Sequence, residues 1–499
     1  MRIVLSNLIN TNNNTWRRAK LCAMASIIAV MCSNVQGQYN TATDHYDMLP
    51  DLGSQASNFL SEADAKILGR AFIRQSRFQQ PYINDPELVS YINRLGQKLL
   101  AVSSDAGKDY QFYLIDNNVI NAFAVPGGHV ALHTGIFTKS ESESELASVV
   151  GHEIAHITQN HIGRKLETSK YDNWLALGAL LAAAAAGGAD AAQAAFGVAS
   201  ASIIDRQLSY SRSFESEADS LGIRLLSRAG FDPQAMPIFF KRLLSENRAS
   251  ELRALEFLRS HPLTIARVSE SSERVKAYPP AKEIDESEFL LMQAKVRASY
   301  ANNSKQARDF FKDEIRNGDT SLATRYGYAL ALSKNLEYGK AREEFNKLNS
   351  DFPNNTTIRL ANADNELEAN NIDEGLELLK ELYLEQRELD NNIVDIYYAN
   401  ALVLTTRNEE AIPILKTAIK SKPDEPFPHF LLSRAYGELG DEMNSFWERG
   451  EYHYLRGNYE FSIRQFQRAE FLTKTRYDKL RIQARIIDVE NEIQQLESL

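Results

Sequence analysis

Small residues recur along the C-terminal half of this chain at a near-fixed stride. Ala307, Ala341, Gly375, Ala411 and Ser445 are separated by 34, 34, 36 and 34 residues. Four positions after the first four stand Phe311, Phe345, Leu379 and Leu415, and Pro353 and Pro423 each fall twelve residues after their small residue. A period of this length is one helix–turn–helix unit. The small side chain lets the two helices of a unit approach closely. A single unit cannot bury its apolar face alone, so neighbours stack into a solenoid with a concave surface. About four to six units fit from residue 289 onward. At the end the register shifts. Trp447-Glu448-Arg449-Gly450, followed by Ser462, Phe466 and Ala469, reads as a unit half a period out, so that one helix serves two repeats.

The N-terminal half carries a different pattern. Val149-Val150-Gly151-His152-Glu153-Ile154-Ala155-His156 reads H-E-x-x-H. Leu146, Val149, Val150 and Ile157 recur at helical spacing with no proline among them, so His152 and His156 stack one turn apart on one face. Two neutral imidazoles so placed can grip a zinc ion, with Glu153 beside it as a general base. A third ligand is available downstream. Tyr210 to Asp219 opens a helix that continues through Leu226, and Glu215 and Asp219 share a face while Glu217 points roughly the opposite way. Glu215 completes a His₂Glu set, and Asp219 can fix the tautomer of a ligating imidazole. The competing reading of this pair is a solvated acidic face. Further on, Ser260-His261-Pro262-Leu263-Thr264-Ile265-Ala266-Arg267 is expected to begin a helix, with Pro262 in first position and Ser260 or His261 as cap.

Between these markers the chain alternates helix and strand. Helical periodicity runs from Phe59 to Leu100, and Tyr110 to Ile115 reads as a strand. Asn121 to Val130 reads as a hairpin turned by Pro126-Gly127-Gly128, with His129 to Leu132 as its second strand. That strand, close before the motif helix, reads either as a free edge for a substrate segment to join or as part of an ordinary structural hairpin. Leu175 to Ala189 is uncharged and alanine-dominated, too short and too weakly apolar to span a membrane. Residues 175–204 are expected to form a buried helical hairpin or a peripheral membrane contact.

The first 37 residues read as an export signal. Trp16 to Lys20 is a basic flank, Leu21 to Cys32 an apolar core, and Val35-Gln36-Gly37 a small-residue cleavage site. Gln38 to Ser57 is a polar stretch. Cys22 and Cys32 both fall in the leader, so the mature chain would hold no cysteine. The leader also removes four basic and no acidic residues, taking the formal net charge from −10 to −14. Such a field excludes nucleic acid binding by net charge.

Taken together, these residues resemble the M48 family of zinc metallopeptidases. The likeness lies in H-E-x-x-H at His152–His156, E-x-x-A-D at Glu215–Asp219, S-H-P-x-x-x-x-R at Ser260–Arg267, and the Asn121–Gly128 stretch. Gln159 and Ile162 depart from the metzincin pattern. The repeats resemble tetratricopeptide units. The resemblance implies an α+β zincin-like metallopeptidase domain, mostly helical with a small β-sheet, over residues 38–288, and an all-α tetratricopeptide (TPR) solenoid over 289–499. It implies one Zn²⁺ per chain held by His152, His156 and Glu215, catalysis by Glu153, and support from Arg267. His261 would be an inhibitory extra ligand displaced on activation. The likeness narrows, with the export signal and the repeats, to periplasmic members. These imply clients among unfolded or misassembled outer-membrane proteins and the barrel assembly machinery, in the periplasm or at the outer membrane. The function implied is an endopeptidase with a chaperone-like role in outer-membrane protein assembly. The rival is a repeat-based binding factor carrying a latent protease.

Overall fold

The structure is a computed structural model describing residues 61–168, 211–249, 256–386 and 392–498. The expected leader 1–37 with Cys22 and Cys32, the polar stretch to Ser57, and the alanine-rich 175–204 lie outside the described residues.

Helix α1 (Glu62–Gln79) starts at Ser61, whose side chain accepts from the Asp64 backbone N–H. Helix α2 (Pro86–Leu100) has an Asp85 cap and a proline in its first turn, and buries Leu88, Tyr91, Ile92, Leu95 and Leu99. Strands β1 (Gln111–Ile115), β2 (Ala122–Val125) and β3 (His129–His133) form one sheet in the order β1-β3-β2. Strand β3 runs parallel to β1, pairing Val130 with Phe112, and antiparallel to β2, pairing Ala131 with Phe123. The hairpin turn needs its glycines. Gly127 and Gly128 have φ of 84° and 89°, and a Cβ on Gly128 would meet the Asp109 carbonyl at 2.6 Å. The candidate for the free edge, His129 to Leu132, is the middle strand. A parallel partner from before the hairpin takes its other side, so the edge beside the motif helix belongs to β2.

Helix α3 (Thr134–Lys139) leads into α4 (Glu143–Thr158), which carries the H-E-x-x-H motif and is buried along almost its whole length. Helix α5 (His161–Thr168) follows. Helix α6 (Arg212–Ala229) is capped by Ser211 and stopped by Gly230 in the left-handed conformation, φ 83°. Helices α4 and α6 cross at Gly151 and Gly222, where a Cβ on Gly222 would lie 3.2 Å from the His152 backbone nitrogen. Near-backbone contact at this crossing brings the Glu215 and Asp219 face onto His152. Helices α7 (Ala235–Ala249), α8 (Glu256–Ser260) and α9 (Ile265–Arg274) complete this part. The helix expected to open at Pro262 opens later. Helix α8 ends at Ser260, residues 261–264 connect, and Thr264 caps α9 by accepting from the Arg267 backbone N–H. The threonine hydroxyl outcompetes the proline signal, which leaves His261 on a connection.

The repeats form α10 (Ser287–Ser299), α11 (Ser304–Arg316), α12 (Leu322–Lys334), α13 (Tyr338–Asp351), α14 (Thr356–Glu368) and α15 (Ile372–Gln386). They continue as α16 (Asn392–Leu404), α17 (Asn408–Ser421), α18 (Pro426–Glu438), α19 (Glu442–Leu455), α20 (Tyr459–Leu472) and α21 (Arg476–Ser498). Ala307, Ala341 and Ala411, and Phe311, Phe345, Leu379 and Leu415, are all buried. The shared helix is α19. It packs against α18 through Ser445 Oγ donating to the Ser433 carbonyl, and against α20 through Ser462 Oγ donating to the Gly450 carbonyl, each at 2.8 Å. Each contact spans twelve residues, so the same crossing is made twice on one helix.

The junction expected at 288–289 falls within α10. Phe289, Leu291 and Met292 there share a continuous hydrophobic core with Leu88 of α2, Phe137 of α3 and Phe311 of α11. The far end of the solenoid also returns. Ile482 and Val489 of α21 pack in one cluster with Leu68 and Ala71 of α1, and Arg74 pairs with Glu492. No helix among the described residues is long and apolar enough to cross a membrane.

Candidate metal centre

Three elements and one connection deliver the side chains singled out from the sequence. Helix α4 supplies His152, Glu153 and His156, α6 supplies Glu215 and Asp219, the 261–264 connection supplies His261, and α9 supplies Arg267. All seven are buried, none more than 4% exposed.

His152, His156, Glu215 and His261 each present one donor atom, and the four atoms lie within 4.8 Å of one another. The separations are informative. His152 Nε2 lies 3.0 Å from His156 Nε2 and 3.3 Å from His261 Nδ1. Glu215 Oε1 lies 3.1 Å from His261 Nδ1 and 3.4 Å from His156 Nε2, and Glu215 Oε2 lies 3.6 Å from His152 Nε2. A tetrahedral cation held by nitrogen and oxygen donors at about 2.0–2.1 Å needs donor–donor edges of about 3.3–3.4 Å. The donor types suit a metal ion of that kind, and the edges of 3.0–3.6 Å bracket that range.

The surroundings hold these donors in place. Asp219 Oδ1 lies 3.0 Å from His152 Nδ1, the nitrogen that faces away from the cluster. The Arg267 fork clamps Asp219, Nε donating to Oδ2 at 2.9 Å and Nη2 to Oδ1 at 2.8 Å. The Arg267 Nη1 is also 2.6 Å from Glu215 Oε2. A bidentate guanidinium fixes carboxylate orientation as an ammonium cannot. His261 spans two groups at once, with Nδ1 among the donors and Nε2 3.4 Å from Glu153 Oε1. Its ring stacks on Phe257 with centroids 4.8 Å apart.

Burial raises the Glu153 carboxyl above the usual carboxylate range. Burial works against ionisation of Glu215 too, but the His261 ring and hydrogen bonds from His152 and His156 hold it well below that range. Burial lowers both motif imidazoles. At His156 it prevails and keeps the ring neutral, as a ligand must be. At His152 the Asp219 and Glu215 carboxylates outweigh it and push the group up to about 10.

Beside the centre stand His161 and Arg164, to which the sequence assigned no role, and Glu217, which it placed only on the far face of its helix. His161, at the start of α5, is fully buried, and its ring stacks on Phe214 with centroids 4.6 Å apart and planes 13° apart. Glu217 does point away from the donor cluster, yet it meets His161 Nε2 at 3.2 Å and Arg164 Nη1 at 3.0 Å. One signal was available: the motif extends to H-E-x-x-H-x-x-x-x-H, a third histidine five positions on.

The sequence model for peptidase family M48 matches residues 86–275. A Vibrio cholerae serotype O1 relative, provisionally named a beta-barrel assembly-enhancing protease, is 36% identical over 443 residues, covering 86% of this chain and 90% of that protein. The beta-barrel assembly-enhancing protease of Escherichia coli strain K12 is 33% identical over 456 residues, covering 90% of this chain and 92% of that protein. A mitochondrial metalloendopeptidase of Schizosaccharomyces pombe is 29% identical over 184 residues, covering 37% of this chain and 52% of that protein.

Proposed function

Because this chain belongs to peptidase family M48, we propose that it is a zinc endopeptidase of the periplasm, with its active site at the four-donor cluster. His152, His156 and Glu215 hold the zinc, and His261 is a displaceable fourth donor. When bound, the metal ion polarises a scissile carbonyl and makes water a competent nucleophile near neutral pH. Glu153 takes the proton from the attacking water and passes it to the leaving amine. Its raised pKa suits a group that must both accept and return a proton. Asp219 orients His152, and Arg267 holds Asp219 and Glu215 against drift. The β2 edge runs beside the motif helix and offers backbone groups to an extended substrate segment. The observation that carries this reading is the gathering of four buried donors within 4.8 Å of one another, next to a buried glutamate.

The names of the relatives support a role in beta-barrel assembly, and the clients proposed with it are unfolded or misassembled outer-membrane proteins and the barrel assembly machinery. The solenoid is the docking surface for them. One observation favours a protease that is silent at rest: His261 lies among the donors and against Glu153 together, so substrate has to displace it. A chaperone-like role and a latent peptidase then coexist in one chain.

Glu153→Gln tests the assignment. The variant is expected to retain one zinc per chain and to lose cleavage of an unfolded polypeptide by about 10²–10⁴-fold. Assembly-enhancing activity in cells is expected to survive the change to the extent that it is chaperone-like. Cleavage at the parent's rate would remove Glu153 from the chemistry.

A further inference from the structure

The two motif imidazoles are backed by different groups, and the difference assigns work to residues outside the donor cluster. For His156 to offer Nε2 to a metal, its ring proton must sit on Nδ1. That Nδ1 lies 2.8 Å from Nδ1 of His161. Two N–H groups cannot face one another at hydrogen-bond distance, so His161 Nδ1 is the bare acceptor and the His161 proton sits on Nε2. His161 Nε2 in turn faces Glu217 Oε2 at 3.2 Å, and an ionised carboxylate can only accept. Arg164 Nη1 donates to the same Glu217 oxygen at 3.0 Å. Each link permits one proton placement, and all the placements agree.

Packing holds the relay independently of its hydrogen bonds. His161 lies flat on Phe214, and the Arg164 guanidinium sits 4.6 Å from the centroid of the same ring. Phe214 lies in the first turn of α6, one residue before Glu215, so the helix that brings the carboxylate ligand also brings the plate on which the relay rests.

We propose that Glu217 and His161 form a two-member relay that fixes the tautomer and orientation of His156, doing through a second imidazole what Asp219 does for His152 directly. The inference rests on the metal-binding reading above. His161 and Glu217 are positioning residues, since neither reaches the donor cluster. Such partners of a ligating histidine typically contribute about 10–100-fold in metal affinity.

The test uses the full-length chain and zinc alone, titrated in competition with a chelator of known affinity. His161→Phe keeps an aromatic plate against Phe214 but deletes the acceptor. Its zinc dissociation constant is expected to rise about 10–100-fold. His161→Asn, whose amide oxygen can accept from His156 while its NH₂ faces Glu217, is expected to recover most of that loss. Glu217→Gln, at a partly exposed position, is expected to shift affinity the same way by less, and keeps the test open if His161→Phe fails to fold. Nitrogen NMR of the zinc-loaded parent is expected to show the His156 proton on Nδ1. The relay is wrong if the parent binds zinc while His161→Phe, or Glu217→Gln in its place, binds it within about twofold and the His156 tautomer is unchanged. A parent that binds no zinc would instead overturn the metal reading itself.

Discussion

On the proposed reading, His261 is the residue on which the resting state turns. Its two ring nitrogens face two groups, Nδ1 among the candidate donors and Nε2 against Glu153. Removing the ring opens both at once. His261→Ala is therefore expected to raise basal cleavage of an unfolded substrate, on the order of tenfold if the open state is about one tenth populated in the parent. A fluorogenic casein assay at matched zinc occupancy measures this. A fall in rate would show that the imidazole serves the reaction, as a hydrogen-bond donor to the oxyanion, more than it blocks it. At this scale much of the centre was legible. His152, Glu153 and His156 follow from local spacing on one helix, whereas Glu215 and Asp219 share a face of a second helix and stood out from a solvated acidic face only in the light of the upstream motif. His161 and Glu217 were not, because their meaning depends on α5 and α6 meeting side by side. The third histidine five positions after the motif marks His161 as a candidate, but nothing local pairs it with an acidic residue on the far face of another helix.

The elements themselves were readable where the code is local. Pro-Gly-Gly predicts the hairpin because only glycine takes the backbone angles found there, and the 34-residue stride predicts the helical pairs because small residues sit at the crossings. Legibility failed where two local signals competed or where a distant partner decided. Thr264 displaced Pro262 as the helix start, and β1 covered the candidate edge strand. The crossing of α4 and α6 is the element-level feature with the most at stake. Gly222→Ala would place a methyl 3.2 Å from the His152 backbone nitrogen and 2.8 Å from Met236 Cε. The methionine can swing aside, but the backbone of the motif helix cannot. The variant is expected to lose about 1–3 kcal/mol in urea unfolding and to bind zinc more weakly. Unchanged zinc affinity would mean that the donor cluster tolerates separation of the two helices.

Across the whole molecule the two halves share their interior. Lys295 of α10 is buried, with Nζ 2.7 Å from Asp85 Oδ2 and 2.5 Å from Glu87 Oε2 at the start of α2. The Tyr397 hydroxyl of α16 lies 2.8 Å from the same ammonium, and Thr357 of α14 donates to Glu87 at 2.7 Å. Nothing in the sequence announces this cluster, since its members are separated by up to 312 positions. Lys295→Met would strand the buried Glu87 and half-buried Asp85 carboxylates and is expected to cost about 3–5 kcal/mol. Guanidinium unfolding followed by both fluorescence and circular dichroism checks the size of the loss and whether both halves go together. Separate transitions, with only the repeats shifted, would mean that the shared core does not couple them.

The return of α21 to α1 gives the repeat array an unusual mechanical character. Gly457 lies so close to α1 that a Cβ there would strike the Arg74 carbonyl carbon at 2.5 Å, and Arg456 donates to the Arg77 carbonyl. A spring clamped at one tip relaxes by swinging its free tip. This one is clamped at both, like a strung bow, so a guest that flattens or tightens the curve cannot discharge the motion into solvent. The load arrives instead at α1 and α2, the two helices that brace the sheet.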